Sequence, residues 1–191
     1  MIEQLDKNIF LFLNGFHNPF FDVIFYTISN RFIWIPLYVL ILYLLIRKFK
    51  RDSIPVIIFT LLLILITDQL SVHLFKNVFH RLRPCHDPVL TGLVHTVYDS
   101  CGGLYGFISS HAANTFAFAV FFSIVLRKSY KYLSITLIIW AIVVSYSRIY
   151  LGSHFPGDVI AGALFGSLTA LLIFFIYIQT SKLFTKYLKT N

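Results

Sequence analysis

The chain has 191 residues, enough for one domain, with 58% AVILMFWYC, 13% charged residues and a net charge of +8. That charged share is about half the usual one, and a soluble fold of this size has no interior large enough for so much apolar surface, so lipid is the natural solvent. The cations sit at the ends of apolar runs rather than in a stripe. They therefore point to membrane topology and anionic headgroups, and away from a nucleic-acid partner.

The N-terminus does not read as a cleavable signal. Met1 is followed by Glu3 and Asp6, with only Lys7 to offset them, whereas a signal's first region is basic. The first strongly apolar segment is expected to act as an uncleaved insertion signal. Residues 6–29 carry Asn14, Gly15, His17, Asn18, Pro19 and Asp22 among aromatics such as Phe20, Phe21, Phe25 and Tyr26. Polarity in the middle predicts an amphipathic or broken helix lying in the interface. A sixth spanning helix is the alternative.

Five segments are apolar and long enough to span, roughly 32–48, 54–76, 108–127, 132–150 and 157–179. In lipid such runs must be helical, because a helix satisfies its own backbone. The expected fold is thus an all-α integral membrane bundle of five or six transmembrane helices. Gly162, Gly166 and Ala170 recur every four residues in the last span, with Ala163 and Ser167 one position on. Such small-residue faces let helix backbones approach closely.

Basic residues set the topology. Arg47, Lys48, Lys50 and Arg51 fall between the first two spans, Arg127, Lys128 and Lys131 between the third and fourth, and Lys182, Lys186 and Lys189 after the last. Alternation puts these groups on one side, which the positive-inside rule makes cytoplasmic. The connections 77–107 and 151–156 then lie outside. Cys85 and Cys101 share the first of these, where a disulfide and two free thiols are both open readings. His86, Asp87, His95 and Asp99 accompany them, but at no standard zinc spacing, and no metal or other cofactor is expected.

The outer side is nevertheless crowded with polar groups. Lys76, Arg81 and Arg83 follow the second span, Ser109, Ser110 and His111 open the third, Arg148 closes the fourth, and His154 and Asp158 open the fifth. An up-and-down bundle gathers these ends at one face. Cations are disfavoured there, so they need a reason. A phosphate supplies one. Lys76, Arg83 and Arg148 offer cationic donors, and arginine's fork matches phosphate oxygens. Ser109 and Ser110 sit at a helix start, where free N–H groups and the dipole favour an anion. Two histidines suit attack at phosphorus and protonation of the leaving oxygen. Asp158, four residues after His154, shares its helix face and suits orienting the imidazole.

These residues carry a resemblance. The run from Lys76 to Arg83-Pro84 fits K-x6-R-P, Ile108-Ser109-Ser110-His111 stands in place of P-S-G-H, and Ser147-Arg148 through His154 to Asp158 fits S-R-x5-H-x3-D. They resemble the motifs of type 2 phosphatidic acid phosphatases, shared with vanadium haloperoxidases. The resemblance covers roughly residues 54–180. It implies that His154 is the nucleophile forming a phosphohistidine, that Asp158 orients it, and that His111 is the general acid. It also implies that Lys76, Arg83, Ser109, Ser110 and Arg148 hold the phosphate, and that hydrolysis needs no metal. Ile108 and Ser110 depart from the pattern, replacing proline and glycine.

Short members similar to this chain often act on undecaprenyl diphosphate in the bacterial inner membrane. That lipid is the first expectation, with phosphatidylglycerophosphate, phosphatidate and lipid A phosphates as alternatives. A membrane lipid is the expected partner, and the oligomeric state stays open. An anion or lipid transporter would use the same basic cluster but needs polar groups near the midplane. Vanadate-dependent halide oxidation is a third reading, disfavoured by the spans. His80 and Arg81, inside the first motif but not among its named positions, are expected at headgroups or the surface. Asp68, in the second span, is expected to make an interhelical hydrogen bond, with a functional relay as the alternative.

Overall fold

The computed structural model describes residues 2–98 and 100–190, with side chains through Ser181. Asp99 and the side chains of Lys182, Lys186 and Lys189 lie outside the described residues. The architecture is all-helical. Among the described residues there is no β-strand, only an isolated bridge between Leu82 and Tyr105.

The N-terminal segment is a broken pair of helices, α1 (Ile2–Asn14) and α2 (Pro19–Ser29). At 1.5 Å per residue, neither reaches across a hydrocarbon core of about 30 Å. The break follows from the polar residues between them. Asn18 caps α2 by accepting from the Phe21 N–H at 2.9 Å, and Pro19 opens the helix. Asn14 donates to the carbonyls of Ile149 and Tyr150 at 3.3 and 2.8 Å, satisfying the end of a later helix. Phe10 is fully buried against Phe155, with ring centroids 5.4 Å apart. The polarity that argues against a span thus docks this segment onto one end of the bundle.

A 3-10 turn at Arg31–Trp34 leads into α3 (Ile35–Phe49). A second such turn, Lys50–Asp52, follows, where Lys50 takes a left-handed φ of 51°. Then come α4 (Ser53–Leu70), a π-helical segment Ser71–Lys76 and the short α5 (Asn77–Phe79). After a long connection come α6 (Ser110–Leu126), α7 (Leu133–Tyr150) and α8 (Pro156–Thr190). These helices match the five expected spans. Exposed Leu61, Leu65, Ile139, Leu164, Leu168 and Phe175 face outward along them, as in an integral membrane protein.

The core forms around α6, which is apolar on every side and packs against α4, α7 and α8. Ala112, Ala113, Ala117, Ala119 and Phe121 are fully buried. The small-residue face of α8 is what brings α6 close. A Cβ on Gly162 would lie 2.5 Å from the Ser109 carbonyl oxygen, and one on Gly166 would lie 3.0 Å from the Ala113 Cα. Asp158 lies one helical turn before Gly162 on the same face, and its carbonyl accepts from the Ser109 N–H at 3.0 Å. The stripe therefore fixes the start of α6 beside the start of α8.

The connection 127–132 approaches the end of α3, where the Tyr130 hydroxyl donates to the Leu44 carbonyl at 3.4 Å. Arg47, Lys48, Lys50 and Arg51 thus share an end of the bundle with Arg127, Lys128 and Lys131. The polar constellation sits at the other end.

Candidate active site

His154 lies in the short connection between α7 and α8 and is 1% exposed. Its backbone N–H donates to the Arg148 carbonyl at 3.2 Å, and the Ser153 N–H does so at 3.0 Å, which turns the chain sharply into the site. Nε2 of His154 lies 3.0 Å from Nη1 of Arg83. Nδ1 faces Oδ2 of Asp158 at 3.6 Å, too long for a hydrogen bond, and the ring also lies beside the Gly106 backbone. The Asp158 oxygens are engaged elsewhere. Oδ1 accepts from Arg81 at 2.7 Å, and Oδ2 from the Phe155 N–H at 3.0 Å. The orienting contact expected between Asp158 and His154 is thus an electrostatic approach, of a kind that tightens when a charged ligand binds. Burial, with Arg83, Arg148 and Lys76 nearby, holds the His154 imidazolium well below the ordinary histidine range.

The cations converge from three elements. Arg83 is 8% exposed, and Nη1 also donates to the Ser153 carbonyl at 3.1 Å. Its guanidinium lies against Gly102, which takes a φ of +81°, and its stem against Gly106. The loop carrying Arg83 is closed by a disulfide between Cys85 and Cys101, whose Cα atoms are 6.1 Å apart. Arg148, near the end of α7, is 9% exposed and bonds Ser29 of α2 through Nη1. The Nε atoms of Arg83 and Arg148 are buried without a partner. Buried donors are normally paired, so these two are open to a further acceptor.

Lys76 closes the π-helical segment after α4 and donates to the Ser110 hydroxyl at 2.8 Å. That hydroxyl also meets the Ser71 hydroxyl at 2.7 Å. The extra residue of a π-turn re-aims the side chains after it, a device frequent at functional sites. Ser109 caps α6, its hydroxyl accepting from the Ala112 N–H at 3.3 Å. The N–H groups of Ser110 and His111, in the first turn, have no acceptor within their own helix. His111 lies within electrostatic reach of Arg148, His154, Lys76 and Arg83. All eight residues expected to act on a phosphate therefore meet at one end of the bundle. Ser110 differs from the others, because its hydroxyl is turned toward Lys76 and Ser71.

Other expectations resolve individually. Asp68 makes the interhelical bond, accepting from Asn114 of α6 at 3.1 Å. Arg81 is half-buried and paired rather than free at the surface. It pairs with Asp158 and with Asp6 of α1 at 2.6 Å, and its guanidinium stacks 4.4 Å from the Phe155 ring centroid. Asp6 and Ser29 are not signalled by any motif, since each reaches the site from a distant segment, and Ser71 stands just outside the first motif, at the start of the π-helical segment that ends at Lys76. His80 keeps a peripheral place, edge-on to Tyr105 at 4.8 Å. The sulfurs of Cys85 and Cys101 lie with His86 in a tight cluster, but disulfide sulfurs are not thiolate ligands. Asp87 pairs with Lys7, and His95 with Asp22.

The family model described as the PAP2 superfamily matches residues 57–182. A lipid A 4'-phosphatase of Bacteroides thetaiotaomicron is 37% identical over 92% of this chain and 78% of its own length. One of Porphyromonas gingivalis is 38% identical over 93% and 75%. An undecaprenyl-diphosphatase of Sulfolobus acidocaldarius is 33% identical over 75% and 63%. In fold, the chain is similar to the crystal structure of a PAP2-type phosphatidylglycerolphosphate phosphatase from Bacillus subtilis. That likeness has a TM-score of 0.71 at 23% identity, over 93% of this chain and 87% of the other. With the family model matching well over half its length, and the residues of all three motifs meeting at one end of the bundle, the chain belongs to the PAP2 superfamily.

Proposed function

We propose that this protein is a membrane lipid phosphatase that releases a phosphate of lipid A through a phosphohistidine on His154. The observation that carries the chemistry is the convergence of Arg83, Arg148 and Lys76 on a buried imidazole whose Nε2 is a lone-pair atom. An arginine only donates, so the Nη1 of Arg83 beside Nε2 leaves the ring proton on Nδ1, facing Asp158. Phosphate oxygens seated on Arg83, Arg148, Lys76 and the N–H groups opening α6 draw Arg83 off Nε2 and bring phosphorus to it. Nε2 attacks, the bond to the lipid oxygen breaks, and His111 delivers the proton to that oxygen. The imidazolium formed is supported by Asp158 at Nδ1. Water, deprotonated by His111, then attacks the phosphohistidine and frees His154 and inorganic phosphate. The cations stabilise charge on the phosphoryl group in both steps.

The substrate ranking rests on two relatives that each cover more than nine-tenths of this chain, both lipid A 4'-phosphatases. They move lipid A ahead of the undecaprenyl diphosphate that short chains of this kind first suggest. The basic end opposite the site supports an orientation with the site on the outer face of the inner membrane. The test is phosphate release by the purified protein from lipid A, undecaprenyl diphosphate, phosphatidylglycerophosphate and phosphatidate, beside His154→Ala. Fastest release from lipid A, abolished in the variant, is expected. Faster release from undecaprenyl diphosphate would return that lipid to first place. Anion flux in vesicles with no phosphate release would replace the enzyme by a transporter.

A further inference from the structure

The contacts behind Asp158 reach beyond the motifs. Oδ1 of this fully buried carboxylate accepts from Nη1 of Arg81 at 2.7 Å. Nη2 of the same guanidinium donates to Oδ2 of Asp6, in the N-terminal helix, at 2.6 Å. The other Asp6 oxygen accepts from the Gly157 N–H at 2.8 Å, at the start of α8. Arg81 is fixed a third way, by the Phe155 ring at 4.4 Å. Asp6, Arg81 and Asp158 thus form one chain of charge-assisted bonds that ends at the carboxylate facing His154.

We propose that Asp6 and Arg81 are positioning residues of this site: Asp6 anchors Arg81, Arg81 holds the Asp158 carboxylate, and helix α1 thereby governs how strongly Asp158 supports the His154 ring. The inference rests on the phosphatase reading but goes beyond it, since no motif position includes either residue. The groups facing His154 are Arg83 at Nε2, Arg148 of α7, Lys76 after α4, His111 of α6 and Asp158 at Nδ1. Among the described residues, the carboxylate that faces the ring is the one Arg81 binds. Removing the Arg81 cation leaves Asp158 a stronger partner for the imidazolium, so the ring holds its proton to higher pH. Removing the Asp6 anion leaves the Arg81 charge less compensated, and the ring loses its proton at lower pH.

The two substitutions therefore move the acid limb of activity in opposite directions. Full-length protein in vesicles is assayed for phosphate release from lipid A across pH, as wild type, Arg81→Gln, Arg81→Lys and Asp6→Asn. Arg81→Gln should raise the acid limb of kcat/KM by about one pH unit and Asp6→Asn lower it by about half a unit, from charges within roughly 10 Å. Arg81→Lys, keeping the charge, should recover most of the Arg81→Gln shift. The ring-carbon NMR titration of His154 in the same proteins should move in step, and it needs no substrate. Loss of kcat with the limb and the His154 titration unmoved would make the contacts merely structural and overturn the proposal. Failure of the wild type to release phosphate from any lipid, or full activity in His154→Ala, would instead overturn the phosphatase reading, while the NMR titration still decides this one.

Discussion

The Ser109 N–H donates to the carbonyl of Asp158 at 3.0 Å, so the start of α6 and the start of α8 are held as one unit. The Ser109 cap of α6 and the Asp158 carboxylate beside His154 cannot drift independently. Gly162 and Gly166, along the same face of α8, keep the backbones close enough for this bond. The site is thus a joint of helix ends around which Arg83, Arg148 and Lys76 close.

Arg83 is predicted to matter through its fork as well as its charge. Nη1 meets both His154 and Ser153, while Nε is open to a further acceptor. Arg83→Ala should lower kcat/KM by about 10²- to 10³-fold, the usual loss for an oxyanion donor. Arg83→Lys should recover only part of that, because a point charge cannot reproduce the fork. Steady-state kinetics on vesicle-embedded lipid A would check both, and full rescue by lysine would contradict the geometry.

Ser110 and Ser71 should behave as one unit. Both hydroxyls meet, and the Ser110 hydroxyl receives the Lys76 ammonium. Ser110→Ala and Ser71→Ala are each expected to raise KM about three- to tenfold by freeing Lys76, a loss of about 1 kcal/mol. The double variant should cost little more than either single one, as coupled neighbours do. Strict additivity would show that the two hydroxyls act separately.

The pH dependence follows from His154. Burial and three cations disfavour its imidazolium, so the ring stays neutral as pH falls through the ordinary histidine value of 6.5. In the proposed mechanism neutral imidazole is the nucleophile, so the acid limb of kcat/KM should lie below pH 6.5. A limb above that value would mean that the ring is not desolvated in the working enzyme.

Much of this was legible in the sequence. The apolar runs placed the helices because lipid admits no other backbone solution. The small-residue face of α8 and the Asp68 contact were readable from spacing and span position, since both lie within regular helices. What escaped was assembled across distance. Arg81 reads as a headgroup contact because its partners, Asp6 and Asp158, are far from it in sequence. The residues of 6–29 predicted only a break, whereas Asn14 caps α7 and Ser29 bonds Arg148. Ser110 reads as a phosphate ligand by its motif position, and its hydroxyl meets Lys76 and Ser71, contacts that involve a π-helical segment the sequence does not announce.

The central claim is that phosphate passes through His154. The most direct measurement is rapid quenching of the purified protein with lipid A under alkaline conditions, followed by mass spectrometry of the peptide containing His154. An acid-labile phosphoryl group on His154, absent in His154→Ala, is the predicted result. Phosphate release at the wild-type rate with His154 never modified would contradict the account.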